Sequence, residues 1–566
     1  MEELKKSLIY QKISNDVNNF VQKKLSGYSC KCFEHKIIHD PIWGSTEYSE
    51  WEMQIIDSPL IQRLRNISQV GLAVLTYPAA RHSRFEHTLG VAAATKRIVD
   101  RININSQDEK FHINEPIKDK LVLAAIMHDV GHCFYSHLSQ SIYGKLKDFA
   151  ELRREIKKIY DKKPQPHEIL SLIIVNSDAF KRFFSTTSYA HKGNLDKLLE
   201  DVGKIIIGVN IVNNKAIESY QTSIINGPFD VDKLDYIKRD SHTAGLALDF
   251  DIERLFTKIK VHVMPANNEM VENRLVIPAS GVTAIEELTF CRIMLFSYIY
   301  YHQKVLITEN MIQDYIQALV NLDLIKSFAD FLTIDEATLL ELSKEQKDAK
   351  PFPADGNISL EQLANNIRNR TLPKRCLEVS QNIKGKNITR LEQQKKTKLK
   401  TLLSEIRENK NYSLENFDED IHKMIPYYTR SDKRYIANYV SEFEGKTTFD
   451  EILKIRKAIY KQLIKVYKKN KEHVDFDVFD IYFVFPPIVS YGTPGEKTVL
   501  GRNGNLMAID DFVKLQQWAS SFNAYKWRGY VYVTEKINRK YALEACRTVI
   551  FKNQVSLEDL KSFLKI

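Results

Sequence analysis

The sequence predicts a mainly α protein, a helical bundle with a smaller α+β lobe at its C-terminus. Three observations predict it. Apolar residues recur at three- and four-residue spacing over 84–100, 119–132, 232–245 and 284–320, the period of helices with one buried face. Glycine and proline are sparse, 20 and 16 in 566 residues, too few to punctuate a strand-rich chain. After Asp475 the pattern changes to short apolar runs bounded by turn residues.

In chain order, residues 1–50 read as an N-terminal segment. Its opening, MEELKKSLIYQK, has no continuous apolar stretch of the kind a secretory signal needs. No apolar run reaches the roughly 18 residues needed to cross a bilayer, so no membrane partner and a cytoplasmic location are expected. Residues 51–330 hold the strongest helical periodicity and are expected to form the catalytic helical domain. Residues 331–470 change character: KDAKPFPADG is followed by KGKNITRLEQQKKTKLKTLLSEIRENKN, which reads as exposed, charged helix without a sustained heptad. Residues 471–566 read as the α+β lobe. FDIYFVFPPIVSYG and KTVLGRNGNLMAIDDF are two strands around a turn, YKWRGYVYVT is a third, and KINRKYALEACRTVIF returns to helix. A chain of this length exceeds one ordinary core, consistent with several domains.

The 82 basic and 72 acidic residues leave a net charge of +10. That balance suits an enzyme acting on a polyphosphate. A solvated lysine-rich surface gives the same number, and a nucleic-acid surface is a further reading that the charge alone does not favour. The six cysteines are spread thinly, as in a reduced chain. Cys30 and Cys32, with His35 and His39 downstream, lack a standard zinc spacing.

The chemistry concentrates in LVLAAIMHDVGHCFYSH, residues 121–137. An apolar helix ends in His128 and Asp129, with His132 and His137 four and nine residues after His128. Burying such a pair is costly unless it is satisfied, and a divalent metal would satisfy both members at once. Upstream, in RHSRFEHTLGVAAA, His87 shares a helical face with Gly90, Val91 and Ala94, and Arg84 lies one turn earlier. Downstream, FDVDKLDYIKRDSHTAG sets Asp232, Tyr236 and Asp240 at four-residue spacing with Lys233 beside them. Singly these are weak signals. The order H…HD…D, with each member on an apolar helical pattern, raises their weight.

These segments, with IIDSPLIQRLRNISQVG (55–71), PHEIL (166–170) and FCRIMLFSYIYYHQKV (290–305), resemble the HD-domain deoxynucleoside triphosphate triphosphohydrolases over roughly residues 40–310. VYVTEKINRKYALEACRTVI resembles that family's last strand and helix more weakly. The resemblance implies His87, His128, Asp129 and Asp232 as ligands of one divalent ion, with manganese, magnesium, iron, nickel and zinc all compatible. It implies His132, His137 and His167 as catalytic histidines. Arg84, Lys233, Tyr236 and Asp240 would hold triphosphate and sugar, Gln69 and Val70 would read the deoxyribose, and Arg292 and Tyr301 would approach the substrate. The implied reaction turns a dNTP into deoxynucleoside and tripolyphosphate.

One departure stands out. Where some members place an aspartate three residues after the histidine matching His137, this chain has Gln140, so that Asp148 or Glu151 substitutes or a histidine works with less help. Asp57, Gln62 and Arg65 match an allosteric nucleotide site between subunits, which implies a GTP or dNTP activator and a homo-oligomer, dimer or tetramer. A structural ion pair on a helix starting near Pro59 is the plainer reading of the same residues. Two other functions fit parts of the sequence. One is an HD-type phosphodiesterase or nuclease on another phosphoester. The other is a non-catalytic nucleic-acid-binding or regulatory protein, which the basic 384–410 stretch would suit and four retained ligands argue against.

Overall fold

The structure is a computed structural model that describes residues 1–32, 35–189, 193–213, 215–266, 270–380, 448–488 and 497–550. It divides into two compact units. The first comprises Met1–Pro353, Ile358–Thr371 and Ser490–Ala519; the second comprises Ala354–Asn357, Leu372–Val489 and Ser520–Ile566. The architecture is mainly helical with small sheets, as the periodicity predicts.

In the first unit the site is built on helices whose ends the sequence specifies. Helix α1 (Leu8–Leu25) is followed by the hairpin β1 (Lys36–Asp40) and β2 (Gly44–Tyr48). Helix α2 (Arg84–Asn105) starts at a capping box in which Glu86 accepts from the Ser83 backbone, the S-x-x-E pattern of SRFE. Helix α3 (Glu115–Met127) is capped by Asn114, which accepts from Ile117 N at 3.1 Å, and packs against α2. Helix α4 (His137–Tyr143) follows the loop after α3, and α5 (Pro166–Val175) opens with proline at its first position. Helix α6 (Val231–Thr243) is capped by Asp230, which accepts from Lys233 N at 2.8 Å.

The run 284–320 is not one helix. It is α7 (Val282–Leu295), a π turn over Phe296–Tyr300, and α8 (Gln303–Asn321). His302 makes the break: its backbone is extended (φ −65°, ψ 129°) and its ring accepts from Lys304 N, restarting the helix. The apolar spacing runs through this point unchanged, which is why periodicity does not reveal it.

The strands depart further from expectation. β3 (Ile211–Asn213), β4 (Ala216–Glu218), β5 (Lys260–Pro265) and β6 (Val271–Pro278) form a sheet in the first unit. β9 (Lys497–Leu500) and β10 (Leu506–Ala508) pair as a hairpin, and β9 joins β6 in parallel at Ile277–Val499 and Pro278–Leu500. Residues 471–566, expected as one lobe, are therefore shared between the units. Val499 is drawn to the first because Val282, Val513 and Leu515 bury it there.

The second unit is α+β. β7 (Lys374–Ser380) comes from the region read as charged helix and pairs with β11 (Arg528–Val533), which also pairs with β8 (Ile481–Val484), in the antiparallel order β7-β11-β8. Helices α9 (Phe449–Lys469) and α10 (Arg539–Ile550) pack together and against this sheet. The basic 384–410 stretch lies outside the described residues. Among the described residues no helix is long and apolar enough to cross a membrane.

Candidate metal centre

Asp129 is the hub of the site. It follows the C-terminus of α3 and is 2% exposed. Its Oδ1 has three imidazole Nε2 atoms around it: His132 at 3.3 Å, His128 at 3.4 Å and His167 at 3.8 Å. Its Oδ2 accepts from Arg84 at 2.6 Å and lies 3.6 Å from His87 Nε2, which is 3.0 Å from Asp232 Oδ1. Helices α2, α3 and α6 thus bring His87, His128, Asp129 and Asp232 to one place. Among the described residues two groups could hold a metal ion, His87 with His128 and Asp232, and Asp129 with His132 and His167. Cys30, Cys32, His35 and His39 form no such group: Cys30 contacts Thr186, His35 pairs with Glu47 and His39 with Ser45.

The donor atoms suit a cation. His87 Nδ1 hydrogen-bonds to Asp235 Oδ2 at 2.7 Å, and His128 Nδ1 donates to the Ala125 carbonyl at 2.7 Å. With hydrogen on Nδ1, each ring turns Nε2 toward the carboxylates, where it can give a lone pair to a metal ion once any proton on it is displaced. Both Nε2 atoms are buried without a hydrogen bond of good geometry. Imidazole nitrogens facing carboxylate oxygens in a buried site call for a cation between them, a proton or a metal ion, and outer hydrogen bonds of this type orient metal-binding imidazoles. Burial works against a charged His87, but Asp232 and Asp235 outweigh it and raise its pKa to about 10. Burial also opposes ionisation of Asp129, yet His128 and Arg84 hold its carboxyl well below the usual range.

The other histidines cluster beside this hub. The rings of His132 and His167 stack at 3.9 Å between centroids, and His137 lies edge-on to both. Burial, helped by the nearby Arg84 charge, pushes His132 down to about 3 and His137 down to about 4; burial with His132 lowers His167 as well. All three are held neutral near pH 7. Gln140 lies between two of them, 2.5 Å from His137 Nδ1 and 2.9 Å from His167 Nδ1. Asp148 instead pairs with Lys12 at 2.6 Å.

The residues matched to substrate contacts divide into groups. Arg84 is at the hub. Gln69 and Val70 are half-buried, and Gln69 Oε1 is buried without a hydrogen-bond partner. Lys233 Nζ holds Asp230 and the Gly227 carbonyl. Tyr236 is half-buried, near enough to Arg292 and Lys233 that both charges oppose the burial raising its pKa. Asp240 is buried with both oxygens engaged, Oδ1 by His82 Nε2 at 2.8 Å and Oδ2 by the Tyr300 hydroxyl. Tyr301 packs on Phe296, with a ring-centroid distance of 5.3 Å, and its neighbour Tyr300 is the tyrosine that donates to Asp240. Of the residues matched to an allosteric site, Gln62 Nε2 donates to the Ile56 carbonyl, Arg65 donates to Gln62 Oε1 at 2.7 Å and stacks 3.6 Å above Phe85, and Asp57 lies 3.5 Å from Lys36.

Several residues of the site carry no sequence signal read above. Asp235 joins His87 to Arg239 and Trp43, and Arg239 also holds Asp40. Its spacing, three after Asp232 and four before Arg239, is the one signal that could have revealed it. Ser171 on α5 donates to the His128 carbonyl and accepts from Gly131 N. Glu336 accepts from the backbone N–H groups of both Ser68 and Tyr135 at 2.9 Å. It thereby ties two loops whose other link is Ser136, which accepts from Arg84 and donates to the Ser68 carbonyl. Tyr135 and Ser136 have φ of 50° and 48°, strained values for residues with a Cβ, of a kind that clusters at functional sites.

Residues 84–221 match the HD domain family, and residues 250–414 match the HD associated region. An HD domain-containing protein of Acanthamoeba polyphaga mimivirus is 27% identical over 368 residues, 61% of this chain and 74% of that protein. A protein of Dictyostelium discoideum named deoxynucleoside triphosphate triphosphohydrolase SAMHD1 homolog is 27% identical over 352 residues, 60% of this chain and 59% of its own length. Among solved structures, a hypothetical protein from Aquifex aeolicus shares the fold at a TM-score of 0.53 and 20% identity, covering 90% of this chain and 99% of that one. With the H…HD…D residues gathered around Asp129, residues 84–221 carry an HD domain of the metal-dependent phosphohydrolase type, and the chain is similar to the deoxynucleoside triphosphate triphosphohydrolases.

Proposed function

We propose that the chain hydrolyses deoxynucleoside triphosphates to deoxynucleoside and tripolyphosphate. One observation carries the reading: the unpartnered imidazole nitrogens of His87 and His128 face Asp129 and Asp232 beside Arg84, with Lys233 and Tyr236 on the helix that carries Asp232. A divalent ion held by His87, His128, Asp129 and Asp232 supplies Lewis acidity toward water and phosphoryl oxygen. The protein groups do the rest. Arg84 and Lys233 bring positive charge to the phosphoryl oxygens, where charge develops in the transition state. Lys233 would exchange its contact with Asp230 for the triphosphate. His167 orients the attacking water, and His137 or His132 serves the leaving 5′ oxygen. Gln69 Oε1 is an acceptor suited to a sugar hydroxyl. Val70 against the 2′ carbon would leave a ribose hydroxyl buried and unpaired, a penalty of about 1–3 kcal/mol.

Phosphorus NMR of the full chain with manganese and each dNTP tests this: tripolyphosphate should appear, and Asp129→Ala should abolish it. Inorganic phosphate as the first product would overturn the reading. A second reading, an HD-type phosphodiesterase using two ions, is favoured by the second group, Asp129 with His132 and His167. Two equivalents of metal per chain, with turnover of a diester and none of a dNTP, would select it. We further propose a homo-oligomer, dimer or tetramer, in which Asp57, Gln62 and Arg65 take a GTP or dNTP activator.

A further inference from the structure

An amide side chain between two imidazoles cannot treat them alike. Its nitrogen only donates and its oxygen only accepts. Gln140, on α4 one turn after His137, points its Nε2 at His137 Nδ1 and its Oε1 at His167 Nδ1, at 2.5 and 2.9 Å. His137 Nδ1 is then an acceptor, and its hydrogen sits on Nε2. His167 Nδ1 is a donor, and its Nε2 carries a bare lone pair. A second observation fits this polarity: His167 Nε2 faces Asp129 Oδ1 at 3.8 Å and belongs with Asp129 and His132 to a group able to hold a metal ion. A bare nitrogen suits a water or a cation there.

We propose that Gln140 is a positioning residue that fixes His137 and His167 in opposite neutral tautomers, so that His137 offers the substrate a hydrogen-bond donor and His167 offers the attacking water an acceptor. The inference deepens the hydrolytic reading above and rests on it for the two roles. A carboxylate in this place could only accept, so both rings would carry hydrogen on Nδ1 and neither would be held as the tautomer bare at Nδ1. The glutamine is what makes the pair asymmetric. It is 9% exposed, so water has little access to replace its hydrogen bonds.

The test is long-range proton–nitrogen NMR on the zinc-loaded full chain with ¹⁵N-labelled histidine, with His137→Gln and His167→Gln used to assign signals. The wild type should show a bare Nδ1 for His137 and a bare Nε2 for His167. In Gln140→Glu the His137 pattern should invert while that of His167 stays. In Gln140→Met, which removes both hydrogen bonds at similar volume, the fixed pattern should be lost. Turnover of a dNTP by Gln140→Glu should fall by about 10²-fold or more in kcat, the usual range for acid–base groups, with KM little changed. The same tautomer in both wild-type rings would overturn the proposal, as would a wild-type pattern that persists in both variants. Absence of tripolyphosphate from any dNTP would instead overturn the hydrolytic reading and leave the tautomer pattern readable.

Discussion

His87 is gripped on both sides of its ring. Asp235 takes Nδ1, while Nε2 looks into the centre toward Asp232 and Asp129. Asp235 is itself held by Arg239 and by the Trp43 indole at 2.6 Å, so it cannot turn away. Asp235→Asn should therefore weaken divalent metal binding about 10–100-fold, the range for outer-shell partners, in a chelator-competition titration. Unchanged affinity would mean that the ring is oriented by packing alone. A pH effect follows from the same residue. In the metal-free protein burial opposes the charged ring, but Asp232 and Asp235 raise its pKa to about 10. Below that value a metal must displace a proton from His87, so apparent affinity should rise with pH, by about tenfold per unit for this one proton. A titration from pH 6 to 8 that shows a flat affinity would contradict it. At this scale the sequence was informative about which residues gather at the centre and silent about their supports. The order H…HD…D pointed to His87, His128, Asp129 and Asp232, whereas Glu336 acts through two backbone N–H groups that no residue pattern announces.

The helices converge because two glycines let them. A Cβ at Gly90 on α2 would lie 1.9 Å from Asp235 Oδ1, and one at Gly131 would lie 2.2 Å from the His167 carbonyl and 2.5 Å from Ser171 N. The second contact is with backbone, which cannot swing aside. Gly131→Ala should push α5, and His167 with it, away from Asp129. We expect a stability loss of about 1–3 kcal/mol, as for other overpacked sites, seen as a lower Tm, together with reduced turnover. A variant with unchanged Tm and turnover would show that α5 tolerates the shift. The starts of α2 and α6 fall within one residue of where the periodic runs 84–100 and 232–245 begin, and the capping box at Ser83 and the Asp230 cap fix them. The π turn at Phe296–Tyr300 and the extended backbone of His302 were not legible, since the apolar spacing carries no sign of either.

At the scale of the whole molecule, the proposed assembly makes its own prediction. Arg65 is exposed, donates to Gln62 and stacks on Phe85, the neighbour of Arg84. Arg65→Ala should alter GTP- or dNTP-dependent assembly, measured by sedimentation, and the activated rate, while turnover without activator stays near wild type. Loss of unactivated turnover would assign Arg65 to the fold of the site instead. The helical class and the strand-like runs near the C-terminus were readable from periodicity. Their partners were not, because a parallel pairing such as Ile277 with Val499 depends on burial beside Val282 and Leu515 and leaves no local trace.

The first unit departs after Thr371 and is resumed only at Ser490. A fragment ending near residue 371 would keep every proposed ligand and still uncover the edge of β6 that Val499 and Leu500 occupy in the full chain. Bare strand edges recruit other chains. Attempts to express the HD region alone should therefore yield sticky material, and a useful minimal fragment would have to splice the returning hairpin back in.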